Sequence, residues 1–502
     1  MQHEPNETKE TKKVSVTLYI ASLLIVLLLG VTGTVWALND SQETPGERVS
    51  ETTDTEEVES VLETETEEGS SSADFQALEE VYAILMTQYL EEVDSDTLIQ
   101  GALEGMAEAV DDPYTEFLDE IESTSMNEDI EGAFEGIGAE VMKEGEYVRI
   151  VSPISGSPAE RAGLMPNDLI SEVDDESVAD MSINEAVSLI RGPQGSDVTL
   201  LILRGDSEFT VTLTRDSIPV ESVVYEIDEE HPTIGYVHIT NFNRPTYQEL
   251  VDAIQALEED GAEEFVFDVR GNPGGLLDSA LALSNIFVED GKPLMQSQGR
   301  DEEPYIYTAN SAQYGDFKFD KDSVLLIDGG SASASEILAG AMSQSADIPL
   351  IGTSTFGKGT IQNIMDITGD GEIKYTAGRW LTADGTWINE EGLQPDIEVE
   401  MPEYINLLLI NQEETYSSGD VSEDVQNLEK ILDALGYDVG AVDFTFDEET
   451  EEAVESFQAD NDLEQDGVVT GTTARALIDR LRDLINENDT QYDAAIDYLL
   501  EN

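Results

Sequence analysis

The chain has 502 residues, of which 110 are Asp or Glu and 23 are Lys or Arg, giving a formal charge of −87. That balance argues against nucleic acid or anionic lipid surfaces as binding partners, since both need basic patches. There is no cysteine, which excludes thiol nucleophiles, disulfides and cysteine-ligated metals; no cofactor or metal is expected.

The acids run along the whole chain, including exposed positions of helix-like segments, and read as a salt- or alkali-adapted surface. A Ca2+ loop needs closely spaced ligands; Asp366-Ile-Thr-Gly-Asp-Gly371 only echoes one and reads as a turn between strands. Among the histidines, His3 lies near the N-terminus, His231 precedes a proline, and His238 falls in the strand-like run Ile234–Thr240. His238 reads as a strand residue on the solvent face. HExxH is absent, and Gly329-Gly-Ser-Ala-Ser333 lacks the last glycine of a nucleophile elbow.

In chain order, residues 1–13 read as a cytoplasmic tail. Val14 to Leu38 is 25 residues without a charge, enough to span a bilayer as one helix at ~1.5 Å per residue. Lys12 and Lys13 precede it and an acidic stretch follows, so the N-terminus is expected in the cytoplasm and the rest outside the cell membrane. A cleaved signal peptide is the rival reading. The run is long for one and Val35-Trp-Ala37 is a poor cleavage site, so a single-pass signal anchor is preferred. Residues 39–72, rich in Glu, Thr and Ser, read as a disordered acidic stalk. From Phe75 helical spacing sets in (Leu78, Val81, Leu85, then Leu98, Leu103, Met106), giving a helical region over 73–123 that ends near Asp111-Asp-Pro-Tyr114.

Phe134-Glu-Gly-Ile-Gly-Ala139 is followed by Ser157-Pro-Ala-Glu-Arg-Ala-Gly-Leu164 and Pro166-Asn-Asp-Leu-Ile170. On these runs residues 124–216 resemble a PDZ domain. The resemblance implies that Gly136, Ile137, Gly138 and Ala139 receive a peptide carboxylate, which backbone N–H groups at a glycine-rich turn can cradle. Residues 217–402 alternate strands (234–240, 264–269, 324–327, 350–352) with helices (246–257, 276–287, 334–343), the pattern of an α/β sheet with crossover helices. After a linker, 403–418, the marks Leu435-Gly-Tyr437, Ala453-Val454, Phe457-Gln458 and Asp466-Gly-Val-Val469 make residues 419–482 resemble the small three-helix peptidoglycan-binding domain. A helical module docking on another protein is the alternative. Residues 483–502 read as a tail. The expected fold class is multidomain α/β and β: N-terminal membrane helix, helical segment, PDZ β-domain, α/β core and small C-terminal three-helix domain.

Two short turns follow buried-looking strands of the core, GGSASASE (Gly329–Glu336) and FGKGTIQ (Phe356–Gln362). One offers serine hydroxyls and the other a single lysine. A lysine can act as base for a serine if a dry pocket lowers its pKa. With Asp268-Val-Arg-Gly-Asn-Pro-Gly-Gly275, these turns make residues 75–402 resemble the C-terminal processing peptidases, PDZ-containing serine proteases with a Ser–Lys pair. The resemblance implies Ser333 as nucleophile, Lys358 as general base and Gln362 orienting it. The oxyanion would take backbone N–H groups of Ala334 and of Gly274 or Gly275. Ser331 and Ser335 would be turn residues, and Glu336 would support the helix that follows.

Arg191, in Leu189-Ile-Arg-Gly192, matches an arginine that in some members links tail binding to the active site. A lysine base near neutrality needs its pKa lowered by about 3 units, on the order of 4 kcal/mol, so no carboxylate is expected beside Lys358. The function implied is endoproteolysis of proteins whose C-terminal tails the PDZ domain captures, with peptidoglycan, the cytoplasmic membrane and further copies of the chain (a homo-oligomer) as partners. A non-catalytic PDZ scaffold at the cell wall is the alternative; a peptidoglycan-cutting enzyme would want the paired carboxylates of a glycosidase. Since every catalytic motif precedes residue 402, loss of 419–502 is expected to spare proteolysis.

Overall fold

The computed structural model describes residues 71–501, apart from 180, 206, 369–370 and 413. The expected cytoplasmic tail, membrane helix and nearly all of the stalk lie outside the described residues. Among those described, no helix is long and apolar enough to cross a membrane.

Helices α1 (Ser71–Gln88) and α2 (Ser95–Glu108) come first, the second capped by Asp94, which accepts the Thr97 N–H. Strand β1 (Glu116–Leu118) and helix α3 (Glu120–Glu131) follow, with Asp119 and Glu122 forming a reciprocal capping box at the helix start. Next come β2 (Ala133–Gly136), β3 (Ala139–Glu144), β4 (Tyr147–Pro153), the single turn α4 (Pro158–Arg161), β5 (Leu169–Val173), β6 (Glu176–Ser177), α5 (Ile183–Ile190), β7 (Asp197–Arg204), β8 (Ser207–Thr214) and β9 (Asp216–Pro219). They make the PDZ domain. Its sheet runs β3-β4-β5-β7-β8, with β6 on β5 and a separate β2–β9 pair joining the domain's start to its end. Val148, Ile150, Ile170, Leu200 and Ile202 fill its core with no exposed surface.

The α/β core comprises β10 (Val223–Ile227), β11 (Ile234–Ile239), α6 (Thr246–Asp260), β12 (Glu264–Asp268), α7 (Leu277–Phe287), β13 (Pro293–Gly299), β14 (Tyr305–Thr308), α8 (Ser311–Tyr314), β15 (Ser323–Ile327), α9 (Ala334–Ala346), β16 (Leu350–Gly352), β17 (Thr360–Asp366), β18 (Glu372–Leu381) and β19 (Ile397–Glu398). The main sheet has the order β10-β11-β12-β15-β16-β19, parallel from β11 onward. A second, antiparallel sheet sets β17 on one edge of β18 and both β1 and β13 on the other. Pairing of Glu116–Leu118 with Glu372–Lys374 makes the segment before the PDZ domain part of the core. β17 ends at Asp366 and its antiparallel partner β18 begins at Glu372; residues 369–370 of the turn expected between them lie outside the described residues.

Beyond residue 402, α10 (Glu423–Ala434), α11 (Glu448–Asp460) and α12 (Gly471–Glu487) pack around Leu428, Leu432, Val454, Phe457 and Leu477. The expected tail behaves otherwise. Residues 490–501 form α13 (Thr490–Glu501), and Ala495, Ile496 and Leu499 are buried against Ile234, Val266, Val324, Leu326 and Ile351 of the main sheet. The cause is legible in the strands: β12 and β15 are apolar on both faces, which a parallel sheet tolerates only with a cover on each side. Helices α6, α7 and α9 cover one face, and α13 covers the other. At ~1.5–3 kcal/mol per buried Ile or Leu, removing α13 costs several kcal/mol. This corrects the reading of residues 483–502 as a tail, and it makes loss of proteolysis the expected outcome of removing residues 419–502.

Candidate active site

Strands β12, β15 and β16 run parallel, and their C-terminal ends release three loops side by side, where α/β sheets commonly place chemistry. Their carboxyl-end loops are 269–276, 328–333 and 353–359. Asp328 stitches the first two together, accepting the N–H of Gly271 at 2.8 Å and of Gly330 at 2.9 Å. The Asn272 carbonyl accepts the Ala332 N–H at 3.0 Å and the Ser335 hydroxyl at 2.9 Å. Ser331 donates to the Val269 carbonyl at 2.8 Å. Ser331 and Ser335 are thus fully buried and bonded to backbone, whereas Ser333 between them is only half-buried.

Ser333 has φ +55° and ψ −110°, a backbone shape that costs a non-glycine residue ~1–3 kcal/mol and that clusters at functional sites. It sits at the mouth of α9, and Ala334, the first helical residue, has no partner for its N–H inside the helix. Gly274, at φ +107°, lies so close that a Cβ on it would fall 2.7 Å from the Ala332 carbonyl and 2.9 Å from the Ala334 nitrogen. Its own N–H is taken by the Asn272 side chain at 2.9 Å, which leaves that of Gly275 as the loop's available donor.

The third loop is locked to the second by Glu336. One of its oxygens, Oε2, accepts the N–H of Ser333 at 2.8 Å and of Lys358 at 2.9 Å. The other accepts the Gly357 N–H at 2.7 Å and the Thr355 hydroxyl at 2.6 Å. Burial pushes the Glu336 carboxyl above its usual range even though these bonds pull the other way.

Lys358 is 8% exposed. Its carbonyl accepts from Trp380 Nε1 at 2.7 Å, and its Nζ lies 4.5 Å from the centre of the Tyr114 ring. Burial first, and the nearby Lys374 charge second, bring its pKa down from 10.5 to about 8, against the pull of Asp112, Glu116 and Glu336. Carboxylates therefore do lie near this lysine, contrary to expectation. Glu336 spends its bonds on the backbone and Glu116 pairs with Lys374, so desolvation still prevails.

Gln362 is buried, and its Nε2 donates to Thr360 at 2.9 Å and Thr376 at 3.2 Å. The Thr376 hydroxyl donates to Asp112 at 2.6 Å. Gln362 thus bonds toward the segment that carries Tyr114, with no hydrogen bond to Lys358. Asp112 and Tyr114 are the residues that sequence reasoning missed. The available signal was Asp111-Asp-Pro-Tyr-Thr115, a proline turn with an aromatic and two acids, read only as a helix end. His238 is half-buried rather than solvent-facing, with its Nε2 3.4 Å from the Arg270 carbonyl.

In the PDZ domain, the carbonyls of Ile137 and Gly138 accept from Ala159 at 2.8 Å and Ile154 at 2.9 Å. Gly138 has φ +71°, and a Cβ there would meet Ser157 at 2.4 Å. Gly136 closes β2 and Ala139 opens β3, the edge strand of the sheet. Arg191, just after α5, bonds Glu128 of α3 at 2.6 Å and lies 4.8 Å from the Phe134 ring centre.

Comparison with known proteins gives four family matches: peptidase family S41 over residues 233–399, a PDZ domain over 149–204, the activating protease CtpB N-terminal domain over 28–122, and "Putative peptidoglycan binding domain" over 421–477. The chain is 40% identical over 426 residues to the carboxy-terminal processing protease CtpA of Bacillus subtilis (strain 168), covering 85% of this chain and 90% of that protein. It is 36% identical over 432 residues to the "Probable CtpA-like serine protease" of Staphylococcus aureus (strain MSSA476), covering 86% and 85%. Among solved structures it is similar to the photosystem II D1 C-terminal processing protease, with 28% identity, a TM-score of 0.39, and coverage of 64% and 86%.

Proposed function

The chain belongs to peptidase family S41, with the carboxy-terminal processing proteases, and from that premise we propose that it cuts proteins by a Ser333–Lys358 mechanism. The observation that carries this reading is Glu336, one oxygen of which holds the backbone of both residues. The free amine of Lys358 takes the Ser333 proton as Oγ attacks the scissile carbonyl. The resulting oxyanion accepts from the N–H groups of Ala334 and Gly275. The Lys358 ammonium then protonates the leaving amine as the C–N bond breaks, leaving an acyl ester on Ser333. Water attacks that ester, Lys358 takes its proton and returns it to Oγ, and the acid product leaves. Gln362 acts at one remove, holding Thr376 and through it the turn that lays Tyr114 on the lysine.

Substrates are proteins with free C-terminal tails, which add to the open edge of β3 with their carboxylate at Gly136–Ala139. Arg191 relays capture: its partner Glu128 lies on α3, whose Met126 and Ile130 pack against Leu276 beside Gly275. Residues 14–38 anchor the chain in the cytoplasmic membrane with the catalytic part outside, and the α10–α12 module holds peptidoglycan. Exposed apolar side chains along α1, Phe75, Leu78, Val81 and Ile84, favour self-association, which light scattering tests. The decisive experiment gives the chain an unstructured protein ending in a free carboxylate, and the same protein amidated. The free acid should be cut faster, and Ser333→Ala should cut neither. Wild-type turnover by Ser333→Ala would sink the mechanism.

A further inference from the structure

Arg270 belongs to the same run as the oxyanion glycines, and nothing in the mechanism above accounts for its surroundings. Its Nε lies 3.0 Å from both Asp268 oxygens and its Nη2 2.7 Å from one of them. On the other side the guanidinium meets Asp489 bidentately, at 2.8 and 2.7 Å, and Gln491 Oε1 at 3.1 Å. The side chain is 15% exposed, against 2% for Asp268 and 22% for Asp489. Asp489 lies between α12 and α13, more than two hundred residues away in sequence. It stands on firm ground: Thr490 donates to the Glu400 carbonyl at 2.7 Å, Gln491 to the Val399 carbonyl at 2.8 Å, and Tyr492 to Asp228 at 2.8 Å.

Asp268 alone would tie Arg270 only to the end of its own strand, two residues back. Asp489 pulls from a different element and so fixes the plane of the guanidinium fork, the geometry in which Arg pairs are most directional. Two residues further on, Asn272 locks Gly274, Ala332 and Ser335. From this geometry we infer that Asp489 is a positioning residue for catalysis: through Arg270 it sets the loop that presents Gly275 beside Ser333. The segment that follows α12 is consequently tied to the protease core through a shared ion pair. This rests on the reading of Gly275 and Ala334 as oxyanion donors.

The test compares Asp489→Ala, Asp489→Glu, Ile496→Ala and Ser333→Ala in the full chain, at a temperature where circular dichroism finds each folded. Asp489→Ala should lose roughly 10- to 100-fold in kcat on a tail-bearing peptide, the scale of a catalytic group displaced by about 1 Å, with KM little changed. Asp489→Glu should recover part of the loss. Ile496→Ala, which loosens α13 without touching Arg270, should lower Tm and keep kcat. Wild-type kcat in folded Asp489→Ala would overturn the inference, as would losses in Asp489→Ala and Ile496→Ala that follow Tm alike. An active Ser333→Ala would instead overturn the peptidase mechanism beneath it, whereas an inactive one beside an unimpaired Asp489→Ala leaves that mechanism standing and removes only this step.

Discussion

Replacing Lys358 by methionine should abolish turnover and make the protein more stable. The lysine is 8% exposed and its pKa is lowered from 10.5 to about 8, burial being the largest cause. A group whose folded pKa lies below its unfolded value opposes folding while it is protonated. The penalty is complete below pH 8, fades between pH 8 and 10.5, and vanishes above. At ~1.36 kcal/mol per pH unit, the displacement corresponds to about 3 kcal/mol. Methionine keeps the unbranched stem over Tyr114 and carries no charge to desolvate, so it should recover most of that. Urea unfolding of wild type and Lys358→Met across pH 6.5 to 10.5 reads the effect. The variant should lead by roughly 3 kcal/mol at pH 7 and the gap should close on the alkaline side. A variant no more stable than wild type at pH 7, or a gap constant with pH, would refute the claim that the lysine is held in a desolvating site.

Activity should rise with pH around a midpoint near 8, since only the free amine of Lys358 can act as base. Lys374→Met should move that midpoint upward in a kcat/KM profile, because it removes a repelling charge and leaves Glu116 unpaired; an unmoved midpoint would discount Lys374. Ser331→Ala and Ser335→Ala should each lose about 1–2 kcal/mol in denaturant unfolding, for a buried hydroxyl bonded to backbone, and remain active while folded. Gly138→Val should weaken a labelled tail peptide at least tenfold in fluorescence anisotropy, the positive φ and the contact with Ser157 both opposing a side chain. A chain ended after residue 487 should keep its retention on purified cell wall and lose proteolysis, as pull-down and peptide assays would report.

The parallel sheet was legible because its strands are short apolar runs set between periodic helices, and Leu350–Gly352 falls where the pattern put it. The pairing of β1 with β18 was not, because a three-residue strand and a partner about 255 residues further on leave no local trace of each other. Tyr114 and Asp112 were lost with it. α13 stood in plain view: Tyr492, Ala495, Ile496 and Leu499 have helical spacing, and β12 and β15 demanded a second cover. It lies beyond the last module that carries recognisable motifs, so no motif marks it. A desolvated Nζ does not forbid every carboxylate near Lys358, because Glu336 binds its backbone.

The placement of α13 also bears on when this protein can become active. The sheet of residues 234–399 is translated long before residues 490–499, yet one of its faces stays bare until they arrive. Contacts over such sequence separations form late and slowly. A nascent chain that already carries Ser333 and Lys358 therefore still lacks the helix that completes its sheet and the carboxylate that steadies Arg270. On that order of synthesis, the sheet that carries the site is closed on its second face only when α13 emerges.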